Sequence, residues 1–227
     1  MSGSAVDPRA RLDLEEAIRE IHVIAGIDAA DGAVPRRSTT IGVTSPDSQD
    51  GKTTIAIALA ASLSHDFGTQ VTLVDADFRT HSLERQYGLE GLSGFAEVLE
   101  GRKSLGTVTR RLNLNTGGMH VIPAGLVLAD PARLARSEHL GPAIDQMKQT
   151  CSHVVLDLPA TLRSMSAPAL AQKCDAVIVV VRHGKTTTQQ LERTLHLLRD
   201  TRVVGVVVNR QRSSIPAWVE RALGMKV

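Results

Sequence analysis

The chain has 227 residues, 42% hydrophobic and 22% charged, which is enough for one sizeable α/β domain and too little for two comfortable ones. A net charge of +2 and an aromatic content of 2% give no electrostatic or stacking basis for nucleic-acid binding. No apolar run approaches the roughly 20 residues that a membrane helix needs, and two cysteines without a secretory leader fit a reducing cytosol. We therefore expect a cytoplasmic protein that reaches a membrane only through a partner.

The first 38 residues are predicted to lie outside the α/β core. Residues 12–24 carry aliphatic side chains at helical spacing with charged residues between them. Residues 25–38 hold two glycines, a proline and a pair of arginines, a composition typical of a linker. The sequence thus predicts an extra N-terminal helix followed by a linker over residues 1–38. Such a helix packs on its own domain or on a neighbouring subunit.

A strand, a polar loop and an alanine-rich helix follow. The strand over residues 41–44 leads into Gly51-Lys52-Thr53-Thr54 at the start of the helix, an order that aims backbone N–H groups at phosphate oxygens. Lys52 is expected to neutralise the outer phosphates, Thr53 to give its hydroxyl to Mg²⁺, and Gly51 to let the main chain approach closely. We therefore predict a phosphate-binding loop. The alternative is an ordinary strand–turn–helix connection.

This loop departs from the usual phosphate-binding pattern. Pro46 stands where a glycine is normally found, five residues before Gly51, and proline has no N–H to donate. The intervening Asp47, Ser48, Gln49 and Asp50 include no glycine, so any turn with positive φ must be made by Asp, Gln or Ser. The two acidic side chains would also repel a polyphosphate unless they point away from it.

Strands and helices alternate along the rest of the chain. Strands are predicted at residues 70–74, 119–122, 153–157, 176–181 and 203–208, and helices at 81–87, 94–99, 137–150 and 186–199. This alternation predicts an α/β fold over residues 39–212: a P-loop NTPase-like, doubly wound, mostly parallel sheet flanked by helices. Residues 213–227 then form a short tail. In it, Trp218, Val219 and Leu223 make an apolar stripe, which is more often a docking face on the protein's own fold than a membrane anchor.

Three predicted strands end in groups that nucleotide chemistry requires. One leads into the Lys52-Thr53 loop, the second ends in Asp75 and Asp77, and the third ends in Asp157. The C-terminal ends of parallel strands meet at the edge where open α/β sheets bind ligands. Nucleotide hydrolysis or phosphoryl transfer needs a cation for the phosphates, a carboxylate that holds Mg²⁺ through water, and a second carboxylate that takes a proton or orients a nucleophile. The sequence therefore predicts a nucleotide-binding site.

Further motifs occur in a fixed order along the chain. They span residues 71–79, 92–101, 121–125, 130–131, 177–186 and 205–210. Together they resemble the bacterial tyrosine kinases of capsule and exopolysaccharide synthesis, a branch of the wider partitioning-ATPase group. The resemblance runs from about residue 16 to residue 210. Partitioning ATPases of the ParA and MinD type usually carry a signature lysine four residues before the loop glycine, and Asp47 at that position favours the kinase branch.

The resemblance implies an ATP- and Mg²⁺-dependent protein-tyrosine kinase or ATPase. It implies these site residues: Gly51, Lys52, Thr53 and Thr54 on the phosphates, Thr53, Asp75 and Asp157 on Mg²⁺, Asn209 near the adenine, and Asp77 beside Lys52 as the base for a tyrosine hydroxyl. It also implies a partner, a membrane-spanning polysaccharide co-polymerase at whose cytoplasmic end the protein acts. The expected role is regulation of exopolysaccharide polymerisation or export, for a capsule, slime or holdfast-type adhesin.

Two segments differ from the family pattern. Residues 16–22 resemble a Glu-x-x-Arg-x-x-Arg helix that joins subunits into a ring, with Glu16 and Arg19 present but His22 at the last position. Because histidine is only partly charged near neutral pH, a homo-oligomer through this helix is expected to be weaker or pH-sensitive. The alternative is an amphipathic helix packed on its own domain.

The second difference is the tail, which lacks the family's cluster of tyrosines. The only tyrosine of the chain is Tyr87, so autophosphorylation of a C-terminal cluster is excluded. Two alternatives to a kinase stay open. One is a degenerate nucleotide-binding regulator without kinase activity, and the other is an ATPase switch of the ParA or MinD type.

Overall fold

The computed structural model describes residues 38–66, 69–114, 117–126 and 130–210. The predicted N-terminal helix with Glu16, Arg19 and His22, and the tail over residues 213–227, lie outside the described residues. The strands are β1 (Thr39–Thr44), β2 (Val71–Asp75), β3 (Arg110–Leu114), β4 (Gly117–Ile122), β5 (His153–Asp157), β6 (Ala176–Arg182) and β7 (Val203–Asn209). The helices are α1 (Lys52–Asp66), α2 (Ser82–Tyr87), α3 (Phe95–Leu99), α4 (Leu105–Val108), α5 (Pro131–Leu134), α6 (Leu140–Thr150), α7 (Ala167–Ala171) and α8 (Thr188–Leu197).

The seven strands form one sheet in the order β3-β4-β2-β5-β1-β6-β7. All neighbouring pairs are parallel except β3 with β4. Strand β1, which feeds the predicted phosphate loop, lies between β5 and β6. This arrangement confirms the predicted doubly wound, mostly parallel sheet. It also puts the C-terminal ends of β1, β5 and β2 side by side, where a ligand site is expected.

Helix α1 packs against one face of the sheet through a stripe of small and aliphatic side chains. Ile55, Ala56, Leu59, Ala60 and Leu63 are all buried, and their spacing places them on one side of the helix. The alanines let the helix approach the strands closely, and Leu59 and Leu63, both 0% exposed, each contribute about 1.5–3 kcal/mol by burial. This packing fixes the N-terminus of α1 at the end of β1.

The opposite face of the sheet is covered by a second apolar cluster. It includes side chains from α3, α6 and α7 and a pair of stacked aromatic rings, Phe78 and Phe95, whose centroids are 6.2 Å apart. Leu140, Ile144 and Met147 on α6 are buried, as their spacing predicted. Helices on both faces keep the central strands dry, and this is why those strands are continuous apolar runs.

Some elements differ from the sequence-based predictions. Strand β3 was not predicted, because Arg110-Arg111-Leu112-Asn113-Leu114 is a polar antiparallel edge strand without an apolar run. Helix α6 begins at Leu140 rather than residue 137, since the Ser137 hydroxyl is bonded to the Leu99 carbonyl and the His139 N–H. Across the described ranges, each helix is too short or too polar to cross a bilayer.

Candidate functional site

Two buried carboxylates stand side by side at the ends of adjacent strands. Asp75 closes β2 and Asp157 closes β5, and the two residues are direct partners in the parallel register. Both are 0% exposed. Because paired residues of neighbouring strands project to the same face of the sheet, the two side chains point to the same side. Their position is the rim that the strand-end argument predicted.

Lys52 reaches this rim from the first residue of α1. Its ammonium nitrogen lies 2.8 Å from Asp77 Oδ2 and 3.5 Å from Asp157 Oδ1. The neighbouring Thr53 hydroxyl donates a 2.6 Å hydrogen bond to Asp157 Oδ2. The structure therefore joins Lys52, Thr53, Asp77 and Asp157 in one network, although the residues come from three separate segments of the chain.

The carboxylates of Asp75 and Asp77 stabilise the turn after β2 through hydrogen bonds to its backbone. Asp75 Oδ1 accepts a hydrogen bond from the Asp77 N–H at 3.0 Å, and Asp75 Oδ2 accepts one from the Leu83 N–H at 3.3 Å, at the start of α2. The Asp77 carboxylate accepts the Arg79 N–H at 3.3 Å. These bonds satisfy backbone donors that the end of the strand leaves unpaired, and they aim the Asp77 side chain at Lys52.

The charges in this cluster are unbalanced, because one ammonium faces three carboxylates. Burial and the neighbouring Asp157 charge raise the pKa of Asp75 well above its usual value. Burial also raises the pKa of Asp157, against the opposing effect of Lys52 and of the Thr53 hydrogen bond. Burial tends to raise the pKa of Asp77, but the nearby Lys52 ammonium has a larger opposite effect, so the pKa of Asp77 is lowered. Burial acts to lower the pKa of Lys52, but Asp157 and Asp77 reverse this and raise it.

The loop ahead of α1 makes its turns without the usual glycines. Gln49 has φ 70° and Gly51 has φ 101°, both in the left-handed region. Gln49 therefore makes the positive-φ turn that a loop without a glycine between Pro46 and Gly51 requires. A left-handed conformation costs a residue with a side chain about 1–2 kcal/mol. The loop keeps its curvature at the cost of backbone strain.

The two acidic side chains of the loop are directed to partners within the protein. The Arg163 guanidinium donates to both oxygens of Asp47, each at 2.7 Å, and lowers its pKa. Asp50 is 3% exposed and accepts the Asp47 N–H at 3.0 Å, while its burial raises its pKa. The expected repulsion of a polyphosphate is thus relieved by an ion pair and a backbone bond. The sequence offered no signal for Arg163.

Asn209 supports the loop from the end of β7. Its side-chain amide donates a 2.8 Å hydrogen bond to the Asp50 carbonyl. A Cβ on Gly51 would lie 1.9 Å from Asn209 Nδ2, so a side chain at this position would displace the Asn209 amide. Asn209 therefore lies beside the predicted phosphate loop, and Gly51 is needed for that contact as well as for its φ. Thr54 is exposed in the first turn of α1.

Two buried glutamates that the sequence did not single out hold the loop after β4. Glu97 accepts the Gly94 N–H at 2.8 Å and the Leu126 N–H at 3.2 Å. Glu84 accepts the Gly125 N–H at 2.8 Å. Each carboxylate satisfies backbone donors in a turn that has no strand partner. Their contacts are structural, and they fix the rim of the sheet next to β2.

The cluster has the groups needed to hold a magnesium-bound polyphosphate. A lysine and the N-terminus of α1 suit phosphate oxygens, and a hydroxyl with buried carboxylates suits Mg²⁺, which usually takes one or two carboxylates and completes its shell with water and phosphate. Among the described residues, there is no group of three or more His, Cys, Asp or Glu side chains that would hold a metal by themselves.

Sequence comparison gives the chain's relatives. Residues 41–221 match the CobQ/CobB/MinD/ParA nucleotide binding domain. The chain is 31% identical over 181 residues to the tyrosine-protein kinase ptk of Acinetobacter johnsonii, an alignment that covers 78% of this chain and 24% of that protein. It is 27% identical over 178 residues to the tyrosine-protein kinase CpsD of Streptococcus pneumoniae serotype 4, covering 77% of each. The chain thus spans about a quarter of the Acinetobacter protein but most of the streptococcal one.

Comparison of structures gives the same fold. The kinase domain of the Escherichia coli tyrosine kinase ETK aligns with a TM-score of 0.74 at 20% identity, over 89% of this chain and 79% of that domain. At this identity the likeness concerns the fold. The part of the chain that carries the candidate site therefore has the same architecture as a bacterial tyrosine-kinase domain.

Proposed function

Because this chain belongs to the CobQ/CobB/MinD/ParA nucleotide-binding family, we propose that it is an ATP-binding protein-tyrosine kinase of the bacterial type. It binds ATP with Mg²⁺ and acts with a membrane-spanning polysaccharide co-polymerase to regulate the polymerisation or export of an exopolysaccharide. The chain's single tyrosine is Tyr87, and in this proposal the phosphorylated tyrosine belongs to another protein. The contacts of Lys52 with Asp77 and Asp157 support kinase activity over a non-catalytic regulator, because phosphoryl transfer would use a cation and carboxylates of this kind.

The observation that carries this proposal is the contact network of Lys52. One buried ammonium is placed within 2.8 Å of Asp77 and 3.5 Å of Asp157, and Thr53 is bonded to the same Asp157. A structural ion pair would need one carboxylate for one cation. Three buried carboxylates around one lysine are costly for the fold, and they are understandable if a metal ion and phosphates complete the charge balance.

The proposal assigns a role to each residue. Gly51, Lys52, Thr53 and Thr54 bind the phosphates through backbone N–H groups and the ammonium, and Thr53, Asp75 and Asp157 hold Mg²⁺, which supplies charge neutralisation at the phosphates. Asp77, with Lys52, serves catalysis: it accepts the proton of the attacking tyrosine hydroxyl. Asn209 supports the loop and lies at the adenine side.

Lys52 has two functions in this proposal. While Asp77 holds the ammonium, the carboxylate is engaged and cannot accept a proton from a substrate. Phosphate oxygens provide the ammonium with another charge-assisted acceptor, and in this proposal movement of Lys52 to them frees the Asp77 carboxylate. The base is then available when the nucleotide is in place.

The partner and the assembly follow from the resemblance rather than from the described residues. The co-polymerase would recruit the protein to the membrane from the cytoplasmic side. Self-assembly would use the segment that contains Glu16, Arg19 and His22, and ring closure would bring another chain's residues to the site. Partner binding and self-assembly are separate from nucleotide binding, and either can be disproved without affecting the proposal that the chain binds ATP.

The test is phosphoryl transfer from radiolabelled ATP with Mg²⁺ to a tyrosine-containing peptide or to the co-polymerase's cytoplasmic segment. The unaltered protein is expected to label tyrosine. Asp77→Asn is expected to lose labelling while it still binds ATP, and Asp145→Asn, at an exposed position on α6, serves as the matched control with full activity. Release of free phosphate without labelled tyrosine would indicate an ATPase switch. ATP binding with neither product would indicate a regulator, and both outcomes would overturn the kinase proposal.

A further inference from the structure

Arg182 closes β6 next to the candidate site. It pairs in register with Asn209, the last residue of β7, and paired residues of neighbouring strands project to the same face of the sheet. The Asn209 amide lies on the face of the phosphate loop, because it contacts the Asp50 carbonyl and would meet a Cβ on Gly51. The Arg182 side chain therefore leaves the sheet on that same face.

The alternation of side chains along β6 gives the same orientation. Ile178 and Val180 are buried in the apolar cluster to which helix α1 contributes. Val179 and Val181 belong to the cluster on the opposite face. Because successive side chains of a strand point to opposite faces, Arg182 follows Ile178 and Val180 towards the side of α1. This is the helix that starts at the phosphate loop.

Strand β6 also extends beyond its neighbour β1. Thr44, the last residue of β1, pairs with Val179, so Arg182 lies three residues further along the sheet. At about 3.3 Å per residue, this is roughly 10 Å beyond the point where β1 passes into the phosphate loop. Because β6 separates β1 from β7, Arg182 lies at the level of the loop, between the loop and Asn209.

The Arg182 guanidinium acts on this loop through its charge. Burial raises the pKa of Asp50, and the positive charges of Arg182 and Lys185 oppose that rise. Among the described residues, no carboxylate forms an ion pair with Arg182. Its charge is permanent, because a guanidinium does not lose its proton in proteins. A half-buried cation without an anion of its own is suited to an anionic ligand.

Hydrogen bonds hold the backbone from which this side chain starts. The Arg182 N–H donates a 2.9 Å hydrogen bond to the Thr186 hydroxyl, and the Arg182 carbonyl accepts N–H groups from Lys185 at 3.1 Å and Thr186 at 2.9 Å. The next residue, His183, donates its N–H to the Asn209 carbonyl at 2.9 Å. The turn after β6 is therefore tied to the ends of both strands, so a ligand would meet a preorganised position.

We propose that Arg182 is a further nucleotide-binding residue, whose guanidinium binds the phosphate next to the ribose, the α-phosphate. This inference rests on the proposed ATP site. Lys52 reaches the outer phosphates from the start of α1, whereas Arg182 lies towards Asn209, on the side proposed for the adenine. A cation between these two positions meets the inner end of the phosphate chain.

Calorimetric titrations with ATP and with ADP, each in the presence of Mg²⁺, test this assignment. Arg182→Gln removes the charge and is expected to weaken binding of both nucleotides by the same factor, roughly tenfold. Arg182→Lys keeps the charge but loses the planar fork, and it is expected to recover part of the loss. Arg193→Gln, at an exposed position on α8, makes the same change in net charge and is expected to alter neither affinity.

A second variant separates a direct contact from a general effect of charge. Lys185 is exposed in the same turn and also acts on Asp50, so Lys185→Gln is expected to weaken either nucleotide at most about twofold, since solvent and salt screen an exposed charge. The Tm of Arg182→Gln without nucleotide is expected to equal that of the unaltered protein, because this side chain has no ion pair among the described residues to lose.

Three results would overturn the inference and leave the proposed ATP site intact. The first is equal affinity of Arg182→Gln and the unaltered protein for both nucleotides. The second is weaker binding of ATP with unchanged binding of ADP, which would place the guanidinium at the outermost phosphate. The third is an equal loss in Lys185→Gln, which would indicate a general effect of charge. An unaltered protein that binds neither nucleotide would instead contradict the ATP site itself, and this inference with it.

Discussion

The Lys52 ammonium lies 2.8 Å from Asp77, and the two side chains are only 7% and 4% exposed. A buried charge pair of this geometry has no water to replace a lost partner, so each group depends on the other. A phosphate ligand that binds at Lys52 must therefore compete with Asp77 for the same cation. The contact that the fold uses to balance its charges also opposes nucleotide binding.

The first prediction concerns this competition. Asp77→Asn removes the charge that holds Lys52 but leaves Asp157 in contact with it, so the ammonium is released for phosphate. Affinity for ATP in the presence of Mg²⁺ is expected to rise roughly tenfold, or about 1.4 kcal/mol, while tyrosine labelling is lost. Titration calorimetry measures the affinity. Weaker binding by this variant would show that Asp77 supports the nucleotide instead of competing with it.

The second prediction concerns the cation. Lys52→Met leaves Asp77 and Asp157 without the ammonium that they contact and is expected to lower the free energy of unfolding by about 3–5 kcal/mol. The matched control is Lys148→Met, which breaks a partly exposed pair with Asp175 and should cost at most about 1 kcal/mol. Urea denaturation compares the two. Equal losses would mean that the cluster does not depend on its lysine.

The third prediction links Asp157 to pH. Burial raises the pKa of Asp157, so the folded protein holds this proton more tightly than the unfolded chain does. At pH values above the pKa of Asp157 in the unfolded chain, the ionised carboxylate therefore destabilises the fold. Asp157→Asn keeps an acceptor for Lys52 and is expected to be more stable than the unaltered protein at neutral pH. This advantage should shrink as the pH is lowered, because the natural carboxyl then becomes protonated too.

Thermal unfolding of both proteins from about pH 8 to about pH 5 tests this link. The quantity to follow is the difference in Tm between variant and unaltered protein at each pH, since the titration of groups distant from Asp157 cancels in it. A difference that grows with acidity would contradict the assignment of a raised pKa. Magnesium-dependent ATP binding is expected to be weakened in the same variant.

The fourth prediction concerns the strained loop. Gln49 has φ 70° and an exposed side chain, so Gln49→Gly removes strain and no packing. Stability is expected to rise by up to about 1 kcal/mol. Ser48→Gly, at an exposed neighbour without positive φ, is expected to lower it by about 0.5–1 kcal/mol. Chemical denaturation of both variants measures the contrast, and a loss of stability in Gln49→Gly would contradict the strain.

The sequence predicted the parts of the site that follow from strand ends. Asp75 and Asp157 were expected together because both close apolar parallel strands, and the structure makes them direct register partners. The ion pair of Arg163 with Asp47 was not predicted, because the two residues lie 116 positions apart and the segment around Arg163 has no periodic pattern. The sequence also did not predict that β7 is only partly buried, because an apolar run does not reveal whether a strand is central or at an edge of the sheet.

The most direct test of nucleotide binding at this site is a calorimetric titration of the purified protein with ATP in the presence of Mg²⁺. We expect saturable binding of one nucleotide per chain, which is lost when magnesium is chelated, is stronger in Asp77→Asn and is unchanged in Asp145→Asn. A folded protein that gives no heat of binding would contradict it, because the loop between Ser45 and Lys52 would then not be a phosphate site.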